Sequence, residues 1–123
     1  MTDSSEQVTW DQYNGLMLGP DIDRIRKLLV RYELFRKSLS VPGDIVECGV
    51  FKGVGAMYWA KLLAIYAPAS LKKVVGFDTF TEFADSLLEF ERDAAKEFTD
   101  EAEFDGVSPT EIMNCAEAAG LSK

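Results

Sequence analysis

Two acidic residues and the glycines that follow the first of them are the residues of this chain best placed to do chemistry. Glu47 and Gly49 form an E-x-G pattern at the end of a β-favouring run, and Gly53 follows four residues later. Asp78 ends a second apolar run over 73–78. A carboxylate can hold an ammonium group or hydroxyls, and a glycine lets a ligand approach the backbone closely. The pattern therefore indicates a binding site for a polar ligand.

The glycine spacing argues against the two common phosphate-binding motifs. A dinucleotide fingerprint needs G-x-G-x-x-G, but Phe51 occupies the place of its second glycine. The sequence also contains no G-x-x-x-x-G-K-[ST], which excludes a P-loop. S-adenosylmethionine has an amino-acid end, ribose hydroxyls and no phosphate, and it fits this pattern better. We expect Glu47 to hold its amino group and Asp78 its ribose.

A strand, a crossover helix and a second strand must position these two acids. The run 45–48 predicts a buried strand, with Cys48 as a small core residue. The run 54–66 is apolar nearly all round, which predicts a helix buried on two sides, one of them against an earlier helix or another subunit. The carboxyl ends of parallel strands meet at one sheet edge, so Glu47 and Asp78 should end neighbouring strands there. The alternative is that both are solvated loop acids.

Further helices are predicted on both sides of this unit. Residues 1–20 form an amino-terminal arm, either a short helix or a mobile segment. An amphipathic helix over 21–39 begins at Asp21 as its cap. A last helix begins with Ser108-Pro109-Thr110-Glu111, a capping box, and ends at Gly120. The expected apolar stripe of the 21–39 helix is Ile22, Ile25, Leu28, Leu29, Tyr32, Phe35 and Leu39, and the expected inner face of the last helix is Ile112, Met113 and Ala116.

The segment 82–105 is strongly acidic, with ten acids against two basic residues, Arg92 and Lys96. Its apolar residues are sufficient for a broken amphipathic helix. The phenylalanines in and just before it either line a substrate cleft or pack within a lid. These are Phe80, Phe83, Phe90, Phe98 and Phe104.

The two motifs together resemble a known family. PGDIVECGVFKG, followed by VVGFDTF, is similar to the pattern of macrocin O-methyltransferases (TylF/MycF-like), a group of class I S-adenosylmethionine-dependent methyltransferases. The likeness covers roughly 24–83. Four positions depart from the family pattern: Val54 replaces a glycine, Gly55 and Thr79 replace serines, and Glu82 replaces a glycine. The matching residues are Pro42, Gly43, Asp44, Glu47, Gly49, Val50, Phe51, Lys52, Gly53, Phe77, Asp78 and Phe80.

The resemblance implies an α/β protein with a Rossmann-like class I methyltransferase fold. Residues 21–123 would supply its amino-terminal βαβ portion with flanking helices, a partial S-adenosylmethionine-binding domain. The implied reaction is methyl transfer to a hydroxyl of a sugar or of a sugar-bearing natural product, so the partner is a small hydroxylated molecule. The resemblance assigns no catalytic residue here, and Mg²⁺ would need ligands beyond this chain. The implied cofactor-binding residues are Glu47, Gly49, Val50, Gly53, Asp78 and Thr79.

Composition excludes several other classes of protein. The 123 residues make at most one domain, and a net charge of −8 argues against nucleic acid or an anionic membrane as the partner. The chain has no histidine, so it holds neither a histidine base nor a histidine metal ligand. Its apolar runs are all shorter than the ~20 residues of a membrane span. The absence of a signal peptide, and two cysteines that form no C-x-x-C, suit the cytoplasm.

A function of a different class fits the same sequence. Two strands are fewer than a covered parallel sheet needs, so this chain alone is not expected to be a self-sufficient catalyst. A non-catalytic, truncated homologue could use the apolar helix and an open sheet edge as a binding or assembly module, including self-association into a homo-oligomer.

Overall fold

A computed structural model describes residues 4–80, 93 and 107–121. The chain divides into two compact units, Met1–Leu39 and Ser40–Lys123, and each is treated by itself. Apart from Asp93, which is helical and exposed, the segment predicted as a broken amphipathic helix lies outside the described residues. Of the phenylalanines predicted to line a cleft or a lid, Phe80 is among the described residues, and Phe83, Phe90, Phe98 and Phe104 lie outside them.

The first unit contains two helices. Helix α1 (Ser4–Leu18) gives the predicted arm a helical structure, and no residue of α1 is buried. Trp10 and Tyr13 form an edge-to-face pair on it, with ring centroids 6.3 Å apart. Helix α2 spans Asp23–Ser38, so it starts two residues later than predicted. Asp21 still accepts a hydrogen bond from the Arg24 amide at 3.1 Å, as a capping carboxylate would.

The apolar stripe of α2 is narrower than the sequence predicts. The side chains of Ile25, Leu28, Tyr32 and Phe35 are at least partly buried, and Phe35 is only 1% exposed. These four recur at steps of three and four, the spacing of one helix face. The other three predicted members, Ile22, Leu29 and Leu39, are exposed, because they lie at the margin of that face or beyond the helix ends.

The second unit is built on a parallel pair of strands. Strand β1 (Ile45–Cys48), helix α3 (Val54–Tyr66) and strand β2 (Val74–Phe77) follow in order, and helix α4 (Pro109–Ala118) comes last among the described elements. The register pairs Ile45 with Val74 and Cys48 with Phe77. The predicted strand–helix–strand unit is therefore confirmed, and the described residues form a two-stranded sheet.

The two faces of this sheet differ in cover. The face of Glu47 and its register partner Gly76 lies towards α3 and the following turn. On the opposite face Val46 is 56% exposed and Phe77 is 60% exposed, and Cys48 is exposed between them. The prediction that Cys48 is a buried core residue is wrong. The β-favouring run does form a strand, as predicted. Its side chains point alternately to the two faces of the sheet, however, and the described residues cover only one of these faces.

Helix α3 has the predicted bounds but less burial than predicted. Leu62 and Leu63 are buried, at 6% and 9% exposure, and with Val50 they are the buried apolar residues in the described part of the second unit. Ile65 and Tyr66 are 68% and 54% exposed. The prediction of burial on two sides is therefore wrong for the end of this helix.

Polar contacts fix the amino ends of the two strands. The Asp44 carboxylate accepts a hydrogen bond from the Lys73 amide at 2.9 Å. The Lys72 ammonium donates to the carbonyls of Val41 and Gly43, the second at 2.6 Å. These contacts join the segments that enter β1 and β2, so they support the register from the edge opposite to Glu47 and Asp78.

Helix α4 has the ends that the sequence predicts. The Ser108 hydroxyl accepts from the Glu111 amide, and the Glu111 carboxylate accepts from the Ser108 amide, which completes the capping box. Gly120 has φ +71° and ends the helix in a left-handed turn. Of the predicted inner face, Ile112 and Ala116 are partly buried, but Met113 is 58% exposed and lies outside it.

Gly76 leaves room for the side chain of Val50, and this gives a test of the packing. A Cβ at residue 76 would lie 2.6 Å from Val50 Cγ2, and Val50 is buried. We expect Gly76→Ala to lower the free energy of unfolding by about 1–3 kcal/mol, as overpacking does. Urea denaturation followed by circular dichroism measures it.

The control is Gly15→Ala, because a Cβ at Gly15 meets nothing within 4 Å and alanine favours a helix. Adding Val50→Ala to Gly76→Ala should recover part of the loss. Equal stabilities of Gly76→Ala and the unmodified chain would contradict this packing.

Candidate functional site

The turn between β1 and α3 has an unusual backbone. Gly49 and Gly53 have φ of +88° and +84°, and Phe51 between them has φ +53°. A positive φ is rare for a residue with a side chain and costs free energy. The Gly49 amide donates to the Phe77 carbonyl at 2.8 Å, and the Gly53 amide to the Val50 carbonyl at 2.9 Å. The turn is thus held against the end of β2 and also folded on itself.

Asp78 holds this turn from the end of β2. Its Oδ2 accepts hydrogen bonds from the amides of Val50 at 2.7 Å and Phe51 at 3.0 Å. Its Oδ1 accepts from the Phe80 amide at 2.9 Å. The amide of Phe51, followed by those of Phe80, Val50 and Thr79, lowers the pKa of Asp78, while burial acts in the opposite direction. A carboxylate surrounded by backbone donors is strongly held in its charged form.

These contacts place Asp78 where the sequence predicts it, at the carboxyl edge, but they also give it a structural task. A carboxylate offers about four acceptor positions, and the amides of Val50, Phe51 and Phe80 occupy three of them. The alternative, that both acids are solvated loop residues, does not describe Asp78. Thr79 follows directly and is exposed, and Val50 contributes its amide to Asp78 and its side chain to the core.

Glu47 lies on the α3 side of β1. Its Oε2 accepts a hydrogen bond from the indole N–H of Trp59 at 2.7 Å. A Cβ built on Gly55 would lie 2.5 Å from Oε2 and 2.9 Å from Oε1. The carboxylate therefore lies against the first turn of α3, in space that any side chain at residue 55 would take.

The two positive-φ glycines of the turn have different surroundings. A Cβ on Gly49 would meet no atom within 4 Å, so the space beside it is open. A Cβ on Gly53 would lie 2.9 Å from Ile112 Cγ1, and Gly53 is buried. Gly49 thus leaves room at the sheet edge, whereas the missing side chain of Gly53 also lets α4 approach the start of α3.

The described residues lack two further features, a metal-binding cluster and a membrane-spanning helix. No group of three or more acidic, cysteine or histidine side chains in this part of the chain could hold a metal ion. No helix among the same residues has both the length and the apolar character to cross a membrane.

The sequence matches a family model described as macrocin-O-methyltransferase (TylF) over residues 10–123. The chain belongs to this family. The fold is similar to the crystal structure of CalS11, a calicheamicin methyltransferase, with a TM-score of 0.55 and 30% sequence identity. That match covers 80% of this chain and 45% of the CalS11 chain, so the matched part spans less than half of that methyltransferase. No curated protein sequence matches this chain.

The family match confirms the resemblance that the glycine turn and the second strand indicate. It also supports an enzyme family that methylates oxygen in natural products. In this chain the turn, Glu47 and Asp78 lie at the carboxyl edge of a parallel strand pair. Open α/β sheets bind their ligands at this edge.

Sequence reasoning missed two residues of this arrangement, Gly55 and Trp59. Gly55 was noted only as a departure from the family serine, and Trp59 only as part of an apolar helix. Their spacing offers a signal, because residues 55 and 59 are four apart and so share one face of α3. A polar indole N–H on a helix face directed at a strand carboxylate would then suggest the contact.

The role of Asp78 in holding the turn can be tested with Asp78→Asn. The substitution removes the charge and turns one acceptor into a donor that faces backbone amides, so we expect a loss of about 2 kcal/mol in the free energy of unfolding at pH 7. The native pKa is lowered, so this stabilisation is present above about pH 4 and is lost as the pH falls through the native pKa. Denaturation from pH 7 to 2.5 should show the two proteins converging in acid.

The matched control is Asp44→Asn, since Asp44 accepts one amide bond that an asparagine oxygen can keep. It should lose clearly less stability than Asp78→Asn. A pH-independent difference between Asp78→Asn and the unmodified chain would show that the charge does not act through the turn.

Proposed function

We propose that this chain forms the amino-terminal part of a Rossmann-like class I methyltransferase domain and binds S-adenosylmethionine at the carboxyl edge of β1 and β2. The reaction of the whole domain would be methyl transfer to a hydroxyl of a sugar or sugar-bearing natural product. Membership of the macrocin-O-methyltransferase family is the observation that carries this proposal. The geometry of the glycine turn supports it.

The residues at this edge suit the amino-acid end of the cofactor. The open space beside Gly49 would allow a ligand to approach the backbone. Within the part of the chain that the structure describes, Glu47 Oε1 accepts no hydrogen bond, so it is available to an ammonium group. The amino end of α3 follows Gly53, and its partial positive charge favours a carboxylate. The family serine that would add a hydroxyl there is Gly55 in this chain.

Asp78 and its neighbours would serve the ribose. The carboxylate lies at the end of β2, and Thr79 beside it adds a hydroxyl. Val50 would act through its position in the turn, because its amide is already bonded to Asp78. Gly53 would act in the same indirect way, by setting the start of α3 against Ile112.

When bound, S-adenosylmethionine supplies an electrophilic methyl group. This chain's own contribution would be orientation, since Glu47 and Asp78 would fix the two ends of the cofactor. Transfer to a hydroxyl also needs a base and an acceptor pocket. None of the described residues is assigned to either role.

One observation favours the second candidate function, a binding or assembly module. The sheet face of Val46, Cys48 and Phe77 is exposed, and it lies on a strand pair with free edges among the described residues. Such surfaces favour association with another chain. Sedimentation of the purified chain, beside radiolabelled methyl transfer to hydroxylated acceptors, separates the two: association without cofactor binding would favour the module.

The cofactor site can be tested with a pair of glycines. Gly43 and Gly49 both have positive φ, and a Cβ on either meets no atom within 4 Å. Alanine should therefore strain both to a similar extent, by about 1–2 kcal/mol. Gly49 lies at the proposed site and Gly43 at the other end of β1, so only Gly49→Ala should weaken S-adenosylmethionine binding, and Gly49→Val should abolish it.

Isothermal titration calorimetry of the 123-residue chain and its variants measures the affinities, and thermal denaturation measures the shared strain. Equal affinities for Gly43→Ala and Gly49→Ala would remove the turn from the site. The absence of binding by the unmodified chain would contradict the proposed site as a whole.

A further inference from the structure

The contact between Trp59 and Glu47 joins two different elements beneath the proposed site. Trp59 lies in the second turn of α3, and Glu47 is the third residue of β1. Their hydrogen bond is partly buried and measures 2.7 Å from the indole nitrogen to Oε2. An indole offers one donor and no acceptor, so this contact fixes one carboxylate oxygen and leaves the other unoccupied by Trp59.

Gly55 provides the space that the same carboxylate occupies. Both Glu47 oxygens lie within 2.9 Å of the place that a Cβ on Gly55 would occupy, and Gly55 is buried. The carboxylate therefore rests on bare helix backbone and is held from one side by the indole. Trp59 and Gly55 restrain it independently, one by a bond and the other by shape.

Among the residues that the structure describes, the charge of Glu47 has no cationic partner. The two ion pairs found among the described residues join Arg24 to Asp21 and Arg26 to Asp23, all at the start of α2. A partly buried carboxylate with a single neutral donor keeps most of its attraction for a cation. Such a group is suited to a ligand that brings its own positive charge.

We propose that Trp59 is a positioning residue, whose indole N–H holds Glu47 so that Oε1 faces the ammonium group of the cofactor's amino-acid end, and that Gly55 keeps this position open. The proposal rests on the proposed function, since it assumes that Glu47 binds this group.

The direct test is a two-dimensional ¹H–¹⁵N spectrum, in which the indole N–H groups of Trp10 and Trp59 give separate signals. These are the two tryptophans of the chain. Trp10→Phe assigns the signals, and exposed Trp10 on α1 is the internal control. Glu47→Ala should move the Trp59 signal without ligand, and S-adenosylmethionine should move it in the unmodified chain. The Trp10 signal should stay in place both times.

The energetic test is calorimetric titration with S-adenosylmethionine. Trp59→Phe keeps the ring and removes the donor, so we expect an affinity about tenfold lower, the size of one hydrogen bond to a charged group. Trp10→Phe should bind as the unmodified chain does. In a Glu47→Ala background Trp59→Phe should have no further effect on affinity, which a merely structural role of the indole would not produce.

A further variant, Gly55→Ala, covers the case in which Trp59→Phe does not fold. Gly55→Ala should also weaken binding about tenfold and move the Trp59 signal, because the methyl group would displace Glu47. Unchanged affinity in both Trp59→Phe and Gly55→Ala, with the unmodified chain binding, would overturn the positioning role alone. A Trp59 signal that responds to Glu47→Ala, in a chain that binds no S-adenosylmethionine, would overturn the proposed function and with it this inference.

Discussion

The Asp78 carboxylate is the group on which the rest of the site depends. It stands at the end of β2 but accepts its hydrogen bonds from the turn that follows β1, at Val50 and Phe51, as well as from Phe80. Bonds to a charged acceptor stabilise by roughly 1.5–3 kcal/mol each, enough to offset the cost of Phe51 at a positive φ. The backbone that could meet a ligand is thus shaped by a residue on the neighbouring strand.

The sheet beneath that turn gives the two acids their separate positions. Pairing of Glu47 with Gly76 puts the Glu47 side chain towards α3, while Asp78 follows the end of β2 and meets the turn. Asp44 and Lys72 make hydrogen bonds between the segments that precede β1 and β2, so polar contacts connect the two strands at both of their ends. Glu47 therefore contacts helix α3, which follows the turn, whereas Asp78 binds the backbone amides of the turn itself.

The described part of the second unit has a small core, and this limits what family membership implies for the chain by itself. Only Val50, Leu62 and Leu63 are buried apolar residues among the described part of the second unit. One face of β1 and β2 stays exposed, and parallel sheets are ordinarily covered on both. The match covers 45% of the CalS11 chain. That methyltransferase is therefore more than twice as long as the matched part, and its additional residues are available to cover such a face.

The sequence by itself determined the local elements and their order. Glycine at turns, the capping box of α4 and the β-favouring runs act over a few residues, so β1, α3, β2 and the start of α4 were predicted nearly to the residue. It also placed Glu47, Gly49 and Asp78 at one edge, because a right-handed crossover leaves little choice. Tertiary structure decided which faces are covered and which partner each polar group takes. Three features depend on neighbours that are distant in the chain: the exposure of Cys48, the amides around Asp78 and the contact of Glu47 with Trp59. The hydrophobic periodicity of a segment does not predict such neighbours, because it reflects only the local structure.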